Sequence, residues 1–308
     1  MLCESKYFRI SVTNRCNLSC QFCHREGNYA GQKDEVSPEE IQFACKVAYK
    51  AGFRKFKITG GEPTERADLC VIISLLSELQ LPDLSMITNG TNLASMGQRL
   101  WDAGLRRINV TVNTLNPERF QQLNPQKNLS ISSIVEGIET ARRVGFNNIK
   151  INFVFFDEDS VKDLKALITF IKEMEMTLVL LPVIGGKYYY SLEDMYNIIS
   201  SFGISSEEVI TDNEGLQKRK INLTDGGSIL LRLDELAEKQ PYVFCRKCTK
   251  VSECREGIFP IRLSANGKLI PCMADTKHRI CVSDVLHSFD EDRMIDAFQK
   301  IALWRTGN

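Results

Sequence analysis

The sequence predicts an α/β protein: a partial (β/α)6 barrel followed by a C-terminal extension. Three observations carry that expectation. Short runs rich in branched and aromatic residues alternate with amphipathic runs of helical period, through six β/α units. The residues with chemistry to offer fall at the C-terminal ends of the strand-like runs, where parallel α/β sheets and barrels form their sites. After Val183 the alternation stops, and a second group of cysteines follows.

Tyr7 to Thr13 is the first strand, and a cysteine-rich loop leaves its C-terminal end. Ser37-Pro38-Glu39-Glu40 is a capping box with proline at the first helical position, and Gly52 is a C-terminal stop. Ile41, Ala44, Cys45 and Ala48 share one face of that helix, which makes Cys45 a core residue. Lys55 to Thr59 is the second strand, Leu69 to Leu79 a helix with Cys70 also in the core, and Leu84 to Thr88 a strand ending at Asn89-Gly90. Leu93 to Ala103 and Ile108 to Val112 continue the pattern. The helix Ile131 to Val144, strand Ile149 to Phe155, helix Val161 to Met174 and strand Leu178 to Val183 complete it, leaving a barrel open at one side.

Gly185-Gly186-Lys187 and the tyrosines Tyr188 to Tyr190 lead out of the barrel, with packing as the reading for the aromatics. A helix near Leu192 to Ser201 and a polar stretch to about Gln240 come next. The expected division is therefore 1–184 for the barrel, 185–240 for a connecting helical segment and 241–308 for a C-terminal cysteine-bearing domain.

Composition excludes several classes. The chain has 308 residues, 43% hydrophobic and 25% charged, enough for a large core and ordinary for a globular protein. Lys+Arg and Asp+Glu are equal at 39 each, so no global field favours nucleic acid or an anionic membrane. Lys218, Arg219 and Lys220 read as a solvated face. The first residues lack a signal-peptide pattern and no apolar run reaches the length of a membrane span, so a cytoplasmic protein is expected. The 11 cysteines are an odd number and seven are closely spaced, which favours metal ligation in a reducing compartment over a disulfide framework.

Cys16, Cys20 and Cys23 form a C-x3-C-x2-C array on one loop. Three thiolates suit zinc or an iron-sulfur cluster, and a four-iron cubane held by three cysteines keeps one iron open for a ligand. Zinc with His24 as fourth ligand is the alternative, although structural zinc sites are usually paired C-x2-C knuckles. Gly60-Gly61-Glu62-Pro63 follows the second strand, where glycines permit close backbone approach to a ligand and acceptors could hold a cationic amine. The second constellation is Cys245, Cys248, Cys254 and Cys272, with the last brought back by a hairpin over Ala265-Asn266-Gly267. Four cysteines suit a tetrahedral zinc or a fully ligated 4Fe-4S cluster equally well. Cys281 is a possible outlying ligand, and Cys3 reads as structural or free.

The cysteine loop resembles the signature of the radical S-adenosylmethionine (SAM) superfamily, with Phe22 before the third cysteine and Gly60 to Pro63 as its Gly-Gly-Glu-Pro motif. A narrower resemblance covers most of the chain. Phe8 to Asn17, Ile58 to Pro63 with Arg66, and Lys150-Ile151-Asn152 are similar to the GTP 3',8-cyclase family of molybdenum cofactor biosynthesis, MoaA. The resemblance implies a TIM-type partial barrel, a SAM-binding 4Fe-4S cluster on Cys16, Cys20 and Cys23, and contacts to SAM from Gly60, Gly61, Glu62, Pro63, Phe22, Thr88 and Thr111. It places Arg9, Arg66 and Lys150 on the substrate's phosphates or neighbouring groups, and it favours an auxiliary 4Fe-4S cluster of SPASM or twitch type on Cys245, Cys248, Cys254 and Cys272.

Departures sit in the C-terminal region. The family's C-x2-C-x-R-x-R pattern is matched at its second arginine by Arg262, but Pro260 stands at the first, and Cys254 is an additional thiol. The family's terminal Gly-Gly has no counterpart in Arg305-Thr306-Gly307-Asn308. The expected function is thus reductive cleavage of SAM to a 5'-deoxyadenosyl radical that abstracts hydrogen from a nucleotide-like small molecule. An external donor such as flavodoxin or ferredoxin would supply the electron. A peptide substrate, GTP itself and a non-catalytic iron-sulfur redox protein are the alternatives. No nucleic acid or membrane partner is expected.

Overall fold

The computed structural model describes residues 7–20, 23, 24, 26, 36–125, 129–182, 191–211, 217–233, 245, 260–273, 275 and 277–306. Six strands, β1 (Tyr7–Ser11), β2 (Lys55–Thr59), β3 (Leu84–Thr88), β4 (Arg107–Thr111), β5 (Asn148–Phe155) and β6 (Thr177–Pro182), pair in sequence order and in parallel. Helices α1 (Pro38–Lys50), α2 (Leu69–Glu78), α3 (Leu93–Asp102), α5 (Ile131–Val144) and α6 (Ser160–Glu173) make the crossovers, with a short α4 (Pro117–Leu123) preceding α5. The α/β partial barrel read from the sequence is therefore present. Ser37 caps α1 reciprocally with Glu40, and the buried face of α1 includes Ile41, Ala44, Cys45 and Ala48.

The sheet is larger than six strands. After α7 (Leu192–Ser200), the stretch read as polar and helical holds β7 (Ile204–Thr211), β8 (Gln217–Leu223) and β9 (Ser228–Arg232). Strand β7 is exposed along most of its length, so it lacks the alternation that betrays a half-buried strand. The strands β10 (Pro260–Leu263), β11 (Lys268–Ile270) and β12 (Ile280–Cys281) precede α8 (Ser283–His287) and α9 (Glu291–Thr306). The hairpin turn at Ala265-Asn266-Gly267 is formed, with β10 and β11 antiparallel. The full order is β12-β11-β10-β1-β2-β3-β4-β5-β6-β9-β8-β7. Because β10 lies parallel beside β1 and β9 parallel beside β6, the parallel wall has eight strands among the described residues.

Alternation on the strands separates two environments. Phe8, Ile10, Phe56 and Ile58 face the helices, and α9 closes over them: Phe298 stacks edge-on against Phe8 at 5.6 Å and lies 5.1 Å from Phe53. Tyr7, Arg9, Ser11, Lys55, Lys57 and Thr59 take the opposite, concave face. Among the described residues no helix is long and apolar enough to cross a membrane.

Phe298 joins the C-terminal helix to the barrel core, so Phe298→Ala should cost about 3–5 kcal/mol. Urea unfolding followed by circular dichroism measures it; a loss below about 1 kcal/mol would mean that α9 contributes little to that core.

Candidate functional site

The site is built where β1 and β2 run out. Their parallel ladder continues past the strand ends: Val12 N donates to Thr59 O at 2.9 Å, Gly61 N to Thr13 O at 2.7 Å and Glu62 N to Arg15 O at 2.7 Å. The base of the cysteine loop is thereby held against the Gly-Gly turn. A Cβ on Gly61 would lie 2.1 Å from Arg15 O, and one on Gly60, at φ +156°, 2.6 Å from Thr13 O. Both contacts are with backbone, so neither position accommodates a side chain. In this structure the close approach that glycine permits is to the loop itself.

Glu62 is almost fully buried and crosslinks the next turn. Its Oε1 accepts from Thr64 N, Thr64 Oγ1 and Thr88 Oγ1 at 3.1, 2.6 and 2.7 Å, and its Oε2 accepts from Asn89 N at 2.6 Å. Burial pushes the carboxyl upward, and these four donors oppose the shift. Asn89 Nδ2 donates to Asn17 Oδ1 at 2.7 Å, and Asn17 Nδ2 to Thr91 Oγ1 at 2.8 Å. Asn17, beside Cys16, thus ties the loop to the end of β3. Pro63 opens a single 3-10 turn, and Thr111 ends β4 opposite Asn152.

Cys23 is near enough to perturb both of the other thiols. The Cys20 thiol is pushed up to about 12 by burial, then by Cys23 and Cys16, and the Cys16 thiol is raised by burial, then by Glu62 and Cys23. Such thiols become thiolates when a metal takes the proton's place. Among the described residues no three His, Cys, Asp or Glu side chains converge on one metal ion. A cubane does not require that convergence, since each thiolate binds its own iron, so the donor set fits a three-cysteine 4Fe-4S cluster. Of the second constellation, Cys245 and Cys272 are described and both are part-exposed. Cys248, Cys254, Phe22, Cys3 and the tyrosines Tyr188 to Tyr190 lie outside the described residues.

The concave face below this turn is cationic. Lys57 lies between Arg9 on β1 and Ser85 on β3. Burial first, then Lys55, Arg9 and Arg107, drive its ammonium well below the ordinary lysine value, with Asp83 opposing. Lys150 on β5 is lowered by burial and by Arg107, Lys218 and Lys55. The Lys55 ammonium also sits 4.4 Å from the centre of the Tyr7 ring. Arg9 and Arg262 are register partners on β1 and β10, and both bind Glu26 of the cysteine loop. Lys55, Lys57, Arg107 and Glu26 were not singled out in the sequence. For the two lysines the signal was available, since their i, i+2 spacing on a strand places them on the face of Arg9.

Arg66 is directed elsewhere. Its Nη1 and Nη2 donate to the carbonyls of Val12 and Val36 at 2.6 and 2.8 Å, and its Nε to Asp68 at 2.6 Å. It clasps the end of β1 to the start of α1. The structure thus gathers Arg9, Arg262 and Lys150 along one cationic wall and sets Arg66 apart from them.

Comparison with known proteins adds to this geometry. Residues 10–171, just over half of the chain, match the radical SAM superfamily. The probable GTP 3',8-cyclase of Methanocaldococcus jannaschii is 34% identical over 275 residues, which cover 88% of this chain and 85% of that protein. That of Methanococcus maripaludis is 33% identical over 294 residues, covering 94% and 92%. Among solved structures, Streptococcus suis SuiB bound to precursor peptide SuiA matches with a TM-score of 0.67 at 17% identity, over 96% of this chain and 66% of SuiB. Native anSMEcpe with bound AdoMet matches with a TM-score of 0.60 at 16% identity, over 94% of this chain and 82% of its own. At such identities these structures speak for the fold alone, and the chain spans 66% of the length of SuiB. The superfamily match and the curated relatives together place the chain in the radical SAM superfamily, in the family that includes these probable GTP 3',8-cyclases.

Proposed function

We propose that this radical SAM enzyme acts on an anionic, nucleotide-like small molecule held in the barrel by Arg9, Lys57, Lys150 and Arg262. The observation that carries the reading is the cationic wall. Lys57 and Lys150 are half-buried, desolvation and neighbouring cations lower both ammonium groups, and an anion placed among them would oppose that shift. The curated relatives are named as probable GTP 3',8-cyclases, which makes GTP the first substrate to test.

Cys16, Cys20 and Cys23 hold the 4Fe-4S cluster in this reading, and Gly60, Gly61, Glu62, Pro63, Thr88 and Thr111 shape the SAM pocket. When bound, the cluster and SAM supply a 5'-deoxyadenosyl radical that takes a hydrogen atom from the substrate. Thr88, Thr64 and Asn89 fix the Glu62 carboxylate, leaving Oε2 with capacity for a further donor such as an amine. Arg66 holds the loop base instead of the substrate. Cys245, Cys248, Cys254 and Cys272 carry an auxiliary 4Fe-4S cluster in the C-terminal part, and the electron comes from an external donor of flavodoxin or ferredoxin type. A peptide substrate is the competing reading, and it predicts no dependence on Lys57.

Reconstituted protein given dithionite and SAM should release 5'-deoxyadenosine, and the Cys16→Ala, Cys20→Ala, Cys23→Ala triple variant should not; equal release by both would sink the cluster assignment. Iron analysis should find about eight irons per chain and about four in that triple variant. About four irons with one tightly held zinc in the intact protein would make the second site structural. With GTP, deuterium at the abstracted position should pass into 5'-deoxyadenosine. Lys57→Ala should then raise the KM roughly tenfold to a hundredfold, the loss of one or two hydrogen bonds from a charged donor; an unchanged KM would remove Lys57 from the substrate site.

A further inference from the structure

Glu26 follows Cys23 by three residues, on the same loop, and its side chain reaches Arg9 on β1 and Arg262 on β10. One carboxylate serves two guanidiniums: Oε1 binds Nη2 of Arg9, and Oε2 accepts from Nε of Arg262 at 3.1 Å. These arginines are directly paired across neighbouring parallel strands, β1 from the N-terminal part and β10 from the C-terminal part. Strands so paired stand about 4.8 Å apart, and two buried like charges at that separation need an anion between them. Arg262 is 2% exposed and Glu26 is 7% exposed, so water contributes little. Burial alone would raise the Glu26 carboxyl, but Arg9, His24 and Arg262 bring it down to about 2. It is therefore ionised at any physiological pH.

The backbone at Glu26 also departs from the ordinary. Its φ is +51°, in the left-handed region that side-chain-bearing residues seldom adopt, and its N–H donates to Nδ1 of His24 at 3.1 Å. The carboxylate's grip on the two arginines can hold the loop in that conformation. An anionic group arriving at the arginines would compete with Glu26 for the same donors. Any change in that competition is felt three residues from Cys23.

We propose that Glu26 is a positioning residue that couples anion binding at the Arg9–Arg262 pair to the conformation of the cysteine loop. This rests on the reading of an anionic substrate made above. By this route, the occupied barrel alters the surroundings of the cluster without the substrate touching it. Glu26 belongs to neither the cluster ligands nor the substrate contacts, and its effect runs through the loop.

The test uses the full chain, anaerobically reconstituted with iron and sulfide and loaded with SAM, with inorganic tripolyphosphate as the probe. Calorimetry reads binding of the probe, and electron paramagnetic resonance of the reduced protein reads the loop. The wild type should bind tripolyphosphate and change its spectrum on doing so. Glu26→Gln should bind at least as tightly as wild type, because the carboxylate that competes for the two arginines is gone, with the spectral change abolished. A spectral change that persists in Glu26→Gln overturns the coupling and leaves the anionic reading intact. Failure of the wild type to bind tripolyphosphate overturns both. If Glu26→Gln does not fold, Arg262→Lys keeps the charge but loses the Nε donor that meets Oε2. It should weaken binding roughly tenfold and lose the spectral change at saturation; an unchanged spectral response there overturns the coupling as well.

Discussion

The contact between two stretches of backbone, residues 13–15 and 60–62, is the constraint on which the rest of the site depends. Hydrogen bonds from Gly61 and Glu62 extend the β1–β2 ladder into a region where neither chain is any longer a strand. Gly60 and Gly61 make the approach possible, because a Cβ at either would collide with a carbonyl oxygen. The cysteine loop is thus seated on the sheet at one end, while the Glu62 carboxylate pulls β3 toward the same point through Thr88 and Asn89. A ligand-binding loop with three exposed or part-exposed thiols has little core of its own. It takes its order from the strand ends beneath it.

Electrostatics organises the layer below. Burying cations near one another is unfavourable unless anions are close, and among the described residues Asp83 and Glu26 are placed to serve. Asp83 answers Arg107, and Glu26 answers Arg9 and Arg262, while Lys57 and Lys150 remain depressed by burial and then by the cations around them. The concave face is where the proposed anion would meet these cations, whereas Arg66, committed to carbonyls and Asp68, is part of the frame. Two arginines that look alike in sequence differ in role because one faces the barrel interior and the other faces the base of α1.

Local signals were legible and neighbour relations were not. The capping box at Ser37, the core face around Cys45 and the turn at Gly267 each depend on a few adjacent residues, and all three are found as read. That β9 and β10 would extend the parallel wall on opposite sides is a tertiary fact with no short-range signature. Strand β7, exposed along most of its length, gives no alternation to read. At the site, the cysteine array and Gly60 to Glu62 stood out because chemistry restricts those residue types. Thr88 was expected at the SAM pocket, but only coordinates reveal that its hydroxyl is bound to Glu62. Glu26 had no sequence signal at all, since its partners lie 17 and 236 positions away.

The pairing of β1 with β10 has a consequence for biosynthesis. Tyr7 lies beside Pro260, so once β1 has left the ribosome roughly 250 further residues must follow before its outer edge is covered. Until then the nascent barrel presents an unpaired strand edge with the thiol-bearing loop at its tip, a combination prone to intermolecular pairing. Contacts of such sequence separation also form late and slowly. Maturation of this protein is consequently a matter of timing: iron and sulfide meet a loop whose supporting sheet is complete only once β10 has been made.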